Sequence, residues 1–306
     1  MTAPVRLARW WDGYWYEAVP LRRLAVFSRI IHLTVLVTVW RIDTWVPLHA
    51  SAPRSFWEPV WLARVAHIPP PTGTTMTLLR VLLTLAAVGA IAAARPVESP
   101  LLRRVARSLN AAVFAGYGLW LIWAFSWSKV DHDRLTIMVA LAVLVAVPGV
   151  GAGTTRRGGW ALRTVQVVFV AAYPLSALSK IQKSGWLWAN QATFARAIIR
   201  RGTWFGNLMV HQGFLLKVGQ WAFISLEVVS VLALWRSRPR VQRATLIAIL
   251  LLHVFTWLAI SIHFLPHSIC LTAFLPLERL ERRWRSARGD AADTAESGAP
   301  GVTHVA

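Results

Sequence analysis

Apolar runs of about 20 residues recur along this chain, each long enough to cross a hydrocarbon layer about 30 Å thick. Inside lipid every backbone N–H and C=O must find its partner within the protein, which leaves only helices and closed barrels as spanning structures. The runs are too long and too uniformly apolar for the alternating strands of a barrel. The fold class that follows is all-α: a polytopic membrane helical bundle. A mean hydropathy of +0.49 and a hydrophobic content of 56% agree with it. Spans are expected near 24–40, 76–94, 105–127, 133–149, 162–181, 214–235 and 244–262, with a short eighth from Phe264 to Leu277 that carries Pro266 and Pro276.

Charge decides whether the eighth segment crosses. The net charge of +20 is spread over alternate connections, as the positive-inside rule requires. With the amino terminus in the cytoplasm, one set of connections carries 20 Lys/Arg and the other nine. The last basic cluster, Arg279 to Arg288, joins the first set only if the eighth segment spans. The expectation is about eight transmembrane helices with both termini cytoplasmic, in a multi-pass protein of the cell membrane whose general partner is the lipid bilayer. Residues 1–23 form a cytoplasmic or interfacial lead, 24–280 the transmembrane domain and 281–306 a disordered cytoplasmic tail, since the tail lacks the apolar content to pack. Nucleic acid is not an expected partner, because no aromatic-interleaved basic surface accompanies the charge. The 18 tryptophans suit membrane interfaces, and Trp120, Trp123 and Trp127 form a stripe read as packing or lipid-facing. A single cysteine, Cys270, excludes an internal disulfide, a Cys-x-x-Cys redox pair and a thiolate metal site.

Ionisable residues inside spans are costly, so each is a functional candidate. Counted from the inner helix ends, Arg29 lies about a turn and a half deep and Glu227 about two turns deep, which predicts either an ion pair between helices one and six or an Arg29 that snorkels back to the inner side. His32 and His253 fall near mid-depth, where interhelical hydrogen bonds are expected. Towards the outer side come Lys180, His132, His263 and His267, with Arg80 and Lys217 leaning the same way. By composition Lys180 is either a snorkelling anchor or a poorly solvated lysine able to act as a general base. The His263/His267 spacing is metal-like, but Pro266 disturbs the helix that would align the rings, and no metal site is assigned. Two outer connections, 41–75 and 182–213, are long. In the second, Phe194, Ala197 and Ile198 separate from Arg196, Arg200 and Arg201, as in an interfacial helix or a lid.

The stretch Tyr173-x6-Ser179-Lys180-Ile-x4-Trp186-x-Trp188 resembles the signature of the HTTM membrane family, which includes SdpB-type bacterial proteins and the transmembrane part of vitamin K-dependent gamma-carboxylase. The turn from Ser126 to Leu135, with His132, and the progression from Glu227 through His253 to Phe264 are similar to further family stretches, so the resemblance covers most of residues 20–280. It implies that Lys180 deprotonates a reduced, vitamin K-like quinone and that His132 hydrogen-bonds the quinol. His263 and His267 would join them as catalytic residues on the outer side. Trp186, Trp127 and Arg80 would contact the cofactor. Ser179 stands where the carboxylase has a second lysine, and the carboxylase's large outer peptide-binding domain has no counterpart here.

Two functions follow as expectations. One is an enzyme acting on a quinol-like or peptide substrate at the outer leaflet. The other is a non-catalytic membrane partner in the maturation or export of a secreted peptide. A transporter is disfavoured, since no inverted repeat with broken helices is visible.

Overall fold

The computed structural model describes residues 3–127 and 130–281; the side chains of residues 3–8 and of His132 lie outside that description, as does the predicted tail from 282. Twelve α-helices follow one another among the described residues: α1 (Ala3–Trp15), α2 (Leu21–Val37), α3 (Trp61–Val65), α4 (Gly73–Ala93), α5 (Pro100–Phe125), α6 (Leu135–Ala146), α7 (Arg156–Ser184), α8 (Thr193–Arg201), α9 (Trp204–Val210), α10 (Gly213–Val229), α11 (Pro239–Ile260) and α12 (Leu265–Ser268). The only pairing of strands described is the two-residue antiparallel ladder of β1 (Val19–Pro20) with β2 (Thr154–Thr155). The protein is an all-α polytopic membrane bundle.

Six segments are long and apolar enough to cross a bilayer: Leu21–Ile42, Gly73–Ala93, Pro100–Phe125, Arg156–Ser184, Gly213–Leu234 and Pro239–Ile260. Their ends are punctuated by the local chemistry. A Thr72/Thr75 capping box starts α4, and Ser99 accepts from the Leu102 N–H to start α5 with Pro100 at its first position. Large apolar side chains such as Leu78, Leu82, Leu85, Leu250, Leu251 and Trp257 face outwards, as a lipid-facing surface requires.

Two further apolar helices, Leu135–Ala146 and Leu265–Phe274, are short. At 1.5 Å per residue, the 12 residues of α6 span only about 18 Å. Both lie within the protein rather than against lipid. Ile137, Leu141 and Leu144 of α6 are fully buried among Phe27 and Ile31 of α2, Tyr117 and Trp120 of α5 and Phe169 of α7. Irregular backbone at membrane depth is tolerated where protein encloses it. The side chains do part of that work: Asn110 donates to the Leu144 carbonyl (2.8 Å), and Gln166 donates to the Ala273 carbonyl (2.8 Å).

The eighth apolar segment packs against α7 and α2. At its start His267 meets Thr136, at the head of α6 (2.9 Å). Beyond it, Glu278 accepts twice from Arg23 (2.8 Å each) and Glu281 once from Arg22 (2.7 Å), both at the opposite end, where α2 begins. The Arg distribution called for a pass here; the apolar helix itself, Leu265–Phe274, is shorter than a membrane span. The end holding Arg22 and Arg23 is here termed inner and the other outer.

The outer connection 41–75 is folded over the ends of α5 and α6. Trp123 donates to the Pro69 carbonyl (3.1 Å), the Glu58 N–H donates to the Ser126 carbonyl (2.9 Å), and Trp120 donates to Asp43 (3.4 Å). Arg134 donates to Asp43 (2.8 Å) and lies 3.7 Å from Asp133. Burial raises the Asp43 carboxyl above its ordinary value, and the Arg134 charge opposes the rise. The tryptophan stripe is therefore packing, as expected.

Candidate functional site beneath an outer lid

Tyr173, Ser176 and Lys180 recur at three- and four-residue intervals on α7, which places them on one helix face. That face meets α10. The Lys180 ammonium donates to both oxygens of Glu227 (2.6 and 2.9 Å) and to the Ser176 hydroxyl (2.6 Å). Its third side is aromatic, with the Phe223 and Trp188 rings 5.1 and 5.5 Å away. The Lys180 side chain is 21% exposed and that of Glu227 only 4%. A pair so enclosed holds both charges by mutual attraction, and neither is easily kept without the other.

A cavity of about 280 Å³ opens beside this pair, bounded by α7, α8, α10, α11 and the start of α12. Most of its wall is apolar. The same wall holds a second polar group: the Tyr173 hydroxyl lies 2.7 Å from His253 Nε2 and 3.1 Å from His267 Nε2. His267 stacks on Phe169 (4.5 Å between centroids), and its Nδ1 is 2.9 Å from the Thr136 hydroxyl.

The roof is made by residues 185–210. Gly185 ends α7 at φ 72°, a left-handed conformation that suits glycine, and turns the chain back over the bundle. In α8, Ile198 is buried, and Phe194, Ala197 and Ile198 line the cavity, while Arg196, Arg200 and Arg201 are exposed. The separation of apolar and basic sides is as expected, with the apolar side facing the cavity. Gln220 on α10 fastens this roof: it donates to the Ala189 and Gln191 carbonyls (3.1 and 2.7 Å) and accepts from the Phe194 N–H (3.2 Å). Thr203 pins the far side by donating to the Ala259 carbonyl (2.7 Å).

Of the residues expected to be catalytic, the structure brings Lys180 and His267 into one cavity wall. His263 is exposed and is not among the cavity-lining residues. The backbone of His132 sits in a 3-10 turn beside Asp133, which does line the cavity; its side chain lies outside the described residues. The three expected cofactor contacts fall elsewhere. Trp186 is 74% exposed, Trp127 packs against His49 and Trp57, and Arg80 lies over the Trp40 ring at 3.7 Å. The aromatic wall is formed instead by Trp188, Phe194, Phe223, Phe255 and Phe264.

The expected Arg29–Glu227 ion pair is corrected. Arg29 donates to the Ala94 carbonyl (2.5 Å) and lies 3.7 Å from Glu281, while Glu227 engages Lys180. The two side chains do not meet, because Glu227 on α10 faces Lys180 on α7 while Arg29 turns back to the inner end. His253 does make the interhelical bond expected of it, whereas His32 bonds within its own helix, to the Ser28 carbonyl (2.6 Å). Tyr173, Ser176, Phe223 and Gln220 had no assigned role. The three- and four-residue spacing from Tyr173 to Lys180 was the available signal for the first two. No family model, curated protein or solved structure matches the chain.

Proposed function

We propose that this protein is an integral membrane enzyme that takes a proton from a quinol-like small molecule held in the cavity, with the Lys180–Glu227 pair as the base. The observation that carries the reading is a lysine–glutamate pair 2.6 Å apart, open on one side to an otherwise apolar cavity. Its chemistry differs from that of a lone lysine. The resting pair is ammonium and carboxylate, with no net charge. When a quinol O–H gives up its proton, the Glu227 carboxylate accepts it, the pair becomes singly positive, and the new quinolate carries the balancing negative charge. Lys180 then stands beside an anion in a medium of low dielectric, where a fixed cation stabilises most. Transfer of a proton from Lys180 to Glu227 gives an equivalent route in which the free amine is the acceptor. The resemblance of the Tyr173-to-Trp188 stretch to the HTTM family supports the same role for Lys180. Membership in that family, and a site facing away from the cytoplasm in the cell membrane, belong to this proposal.

The test is the purified protein in lipid nanodiscs, with co-purifying quinones identified by mass spectrometry and reduced short-chain naphthoquinone titrated against wild type, Lys180→Met and Glu227→Gln. Quinone in the wild-type extract and a loss of about tenfold or more in affinity for either variant are expected. Absence of quinone-type binding, with both variants retaining the cellular phenotype, would overturn the reading in favour of a non-catalytic partner of a secreted peptide.

A further inference from the structure

Beside the ion pair, the cavity wall carries the Tyr173 group, which has no part in the proton transfer just described. Tyr173 has a single hydroxyl hydrogen but two imidazole Nε2 atoms within hydrogen-bond distance. It can donate to only one of them, so with both rings neutral the other must donate to Tyr173. His253 and His267 are thereby held in opposite tautomers, and the bonds acquire a direction. In one direction Thr136 donates to His267 Nδ1, His267 Nε2 donates to Tyr173, and Tyr173 donates to His253 Nε2. The proton of His253 then sits on Nδ1. In the other direction every donor becomes an acceptor, and His253 Nδ1 carries a lone pair.

In both cases the chain ends at the same atom. His253 Nδ1 is buried and finds no hydrogen-bond partner among the described residues, although His253 belongs to the cavity wall. A buried donor or acceptor left without a partner is unfavourable, and a ligand oxygen would satisfy it.

We propose that His253 is the second polar contact of the cavity, binding a ligand oxygen other than the one at Lys180–Glu227, with Tyr173 and His267 as positioning residues that set its proton. This rests on the reading of the cavity as a quinol site and sharpens the ligand class: an apolar ring system carrying two oxygens. Reversal of the chain matches it to both redox forms, since a quinol hydroxyl needs an acceptor and a quinone carbonyl needs a donor.

Four probes separate the two contacts in protein reconstituted into nanodiscs, with retention counted against empty discs. Menadiol and menadione carry an oxygen at each end, methylnaphthol carries one, and methylnaphthalene none. In wild type, menadiol should bind about tenfold more tightly than methylnaphthol. His253→Phe should abolish that preference while leaving methylnaphthol binding unchanged, and His253→Gln, which keeps a donor and an acceptor, should restore part of it. Tyr173→Phe should shift the relative affinities of menadiol and menadione, because it removes the bond that fixes the His253 tautomer. A wild type that binds menadiol and methylnaphthol equally, or a His253→Phe variant that keeps the preference, overturns this inference and leaves the quinol reading standing. If the wild type retains none of the oxygenated probes above methylnaphthalene, both fall.

Discussion

The inner and outer halves of this bundle differ in what fills them, although one roof glycine, Gly206, also lies directly against backbone, at the Ala259 carbonyl. At the inner end the backbones touch: a Cβ placed on Gly149 would lie 2.6 Å from the Ala25 backbone, and one on Gly159 would meet the Glu17 carbonyl. The β1–β2 ladder and the carboxylates of Glu278 and Glu281 close the same region. At the outer end a roof of short helices stands over a cavity of about 280 Å³, and polar side chains occupy the space that packing leaves. The inner half fixes the helices relative to one another, and the outer half spends that rigidity on a site. Lids and binding loops belong to the less tightly packed part of a structure for the same reason.

The sharpest way to break this comparison is to make the same substitution at both ends. Gly159→Ala forces a methyl group into the Glu17 carbonyl and should abolish folded protein, because backbone cannot step aside as a side chain tip can. Gly213→Ala, at the outer start of α10, meets nothing within 4 Å and should be neutral or stabilising by about 0.5–1 kcal/mol, since alanine is the better helix former. Fluorescence-detected size exclusion of the two variants provides the measurement. Normal elution of Gly159→Ala would show that the inner contacts are not what holds the bundle.

Next in size is the outer ion pair, the one place where the outer half carries a large energetic liability. Replacing a single partner, as Lys180→Met or Glu227→Gln does, strands the other in an apolar wall and should cost about 3–5 kcal/mol. Changing both together removes the stranded charge, so the double variant should recover most of that loss while remaining unable to take a proton. Thermal unfolding of the four proteins gives the coupling. If the single losses simply add in the double variant, the two groups are not a pair in the folded protein.

The contrast also explains what could be read from the sequence. Spans were legible because the bilayer sets a length; the sign rule grouped Arg22 and Arg23 with the residues after Leu277, and Glu278 and Glu281 meet those arginines in the structure. Lys180 was legible because a cation closing an apolar run is rare. Its partner was not. Counting residues from a helix end fixes neither the direction around the helix nor how far a side chain reaches along it, so Glu227 was assigned to Arg29 when it meets Lys180 on α7. The same limit separates Trp186 from Trp188. Two residues apart in a short 3-10 helix, one is 74% exposed and the other 8%, and it is Trp188 that lines the cavity. Tyr173, His253 and His267 lie on three different helices, and only tertiary packing brings them together.

The smallest expected effect belongs to the inner end and has a pH signature. Hydrogen bonds from Arg23 hold the Glu278 carboxyl below its ordinary value of 4.5. A carboxylate whose folded value is depressed contributes stability that is fully present above its unfolded value. That contribution is lost as pH falls through the lower, folded value, because the folded state gives up the bond only when it finally takes the proton. Stability should therefore be flat from neutral pH down to about 5 and begin to fall below 4.5. The loss is on the order of 1 kcal/mol, since Arg23 stays partly exposed to solvent although Glu278 is buried. Glu278→Gln should be slightly less stable than wild type at neutral pH and should lack this step, while binding at the outer cavity stays unchanged. A Glu278→Gln variant with the same acid step as wild type would assign that step to another carboxylate and remove Glu278 from the contacts that close the inner end.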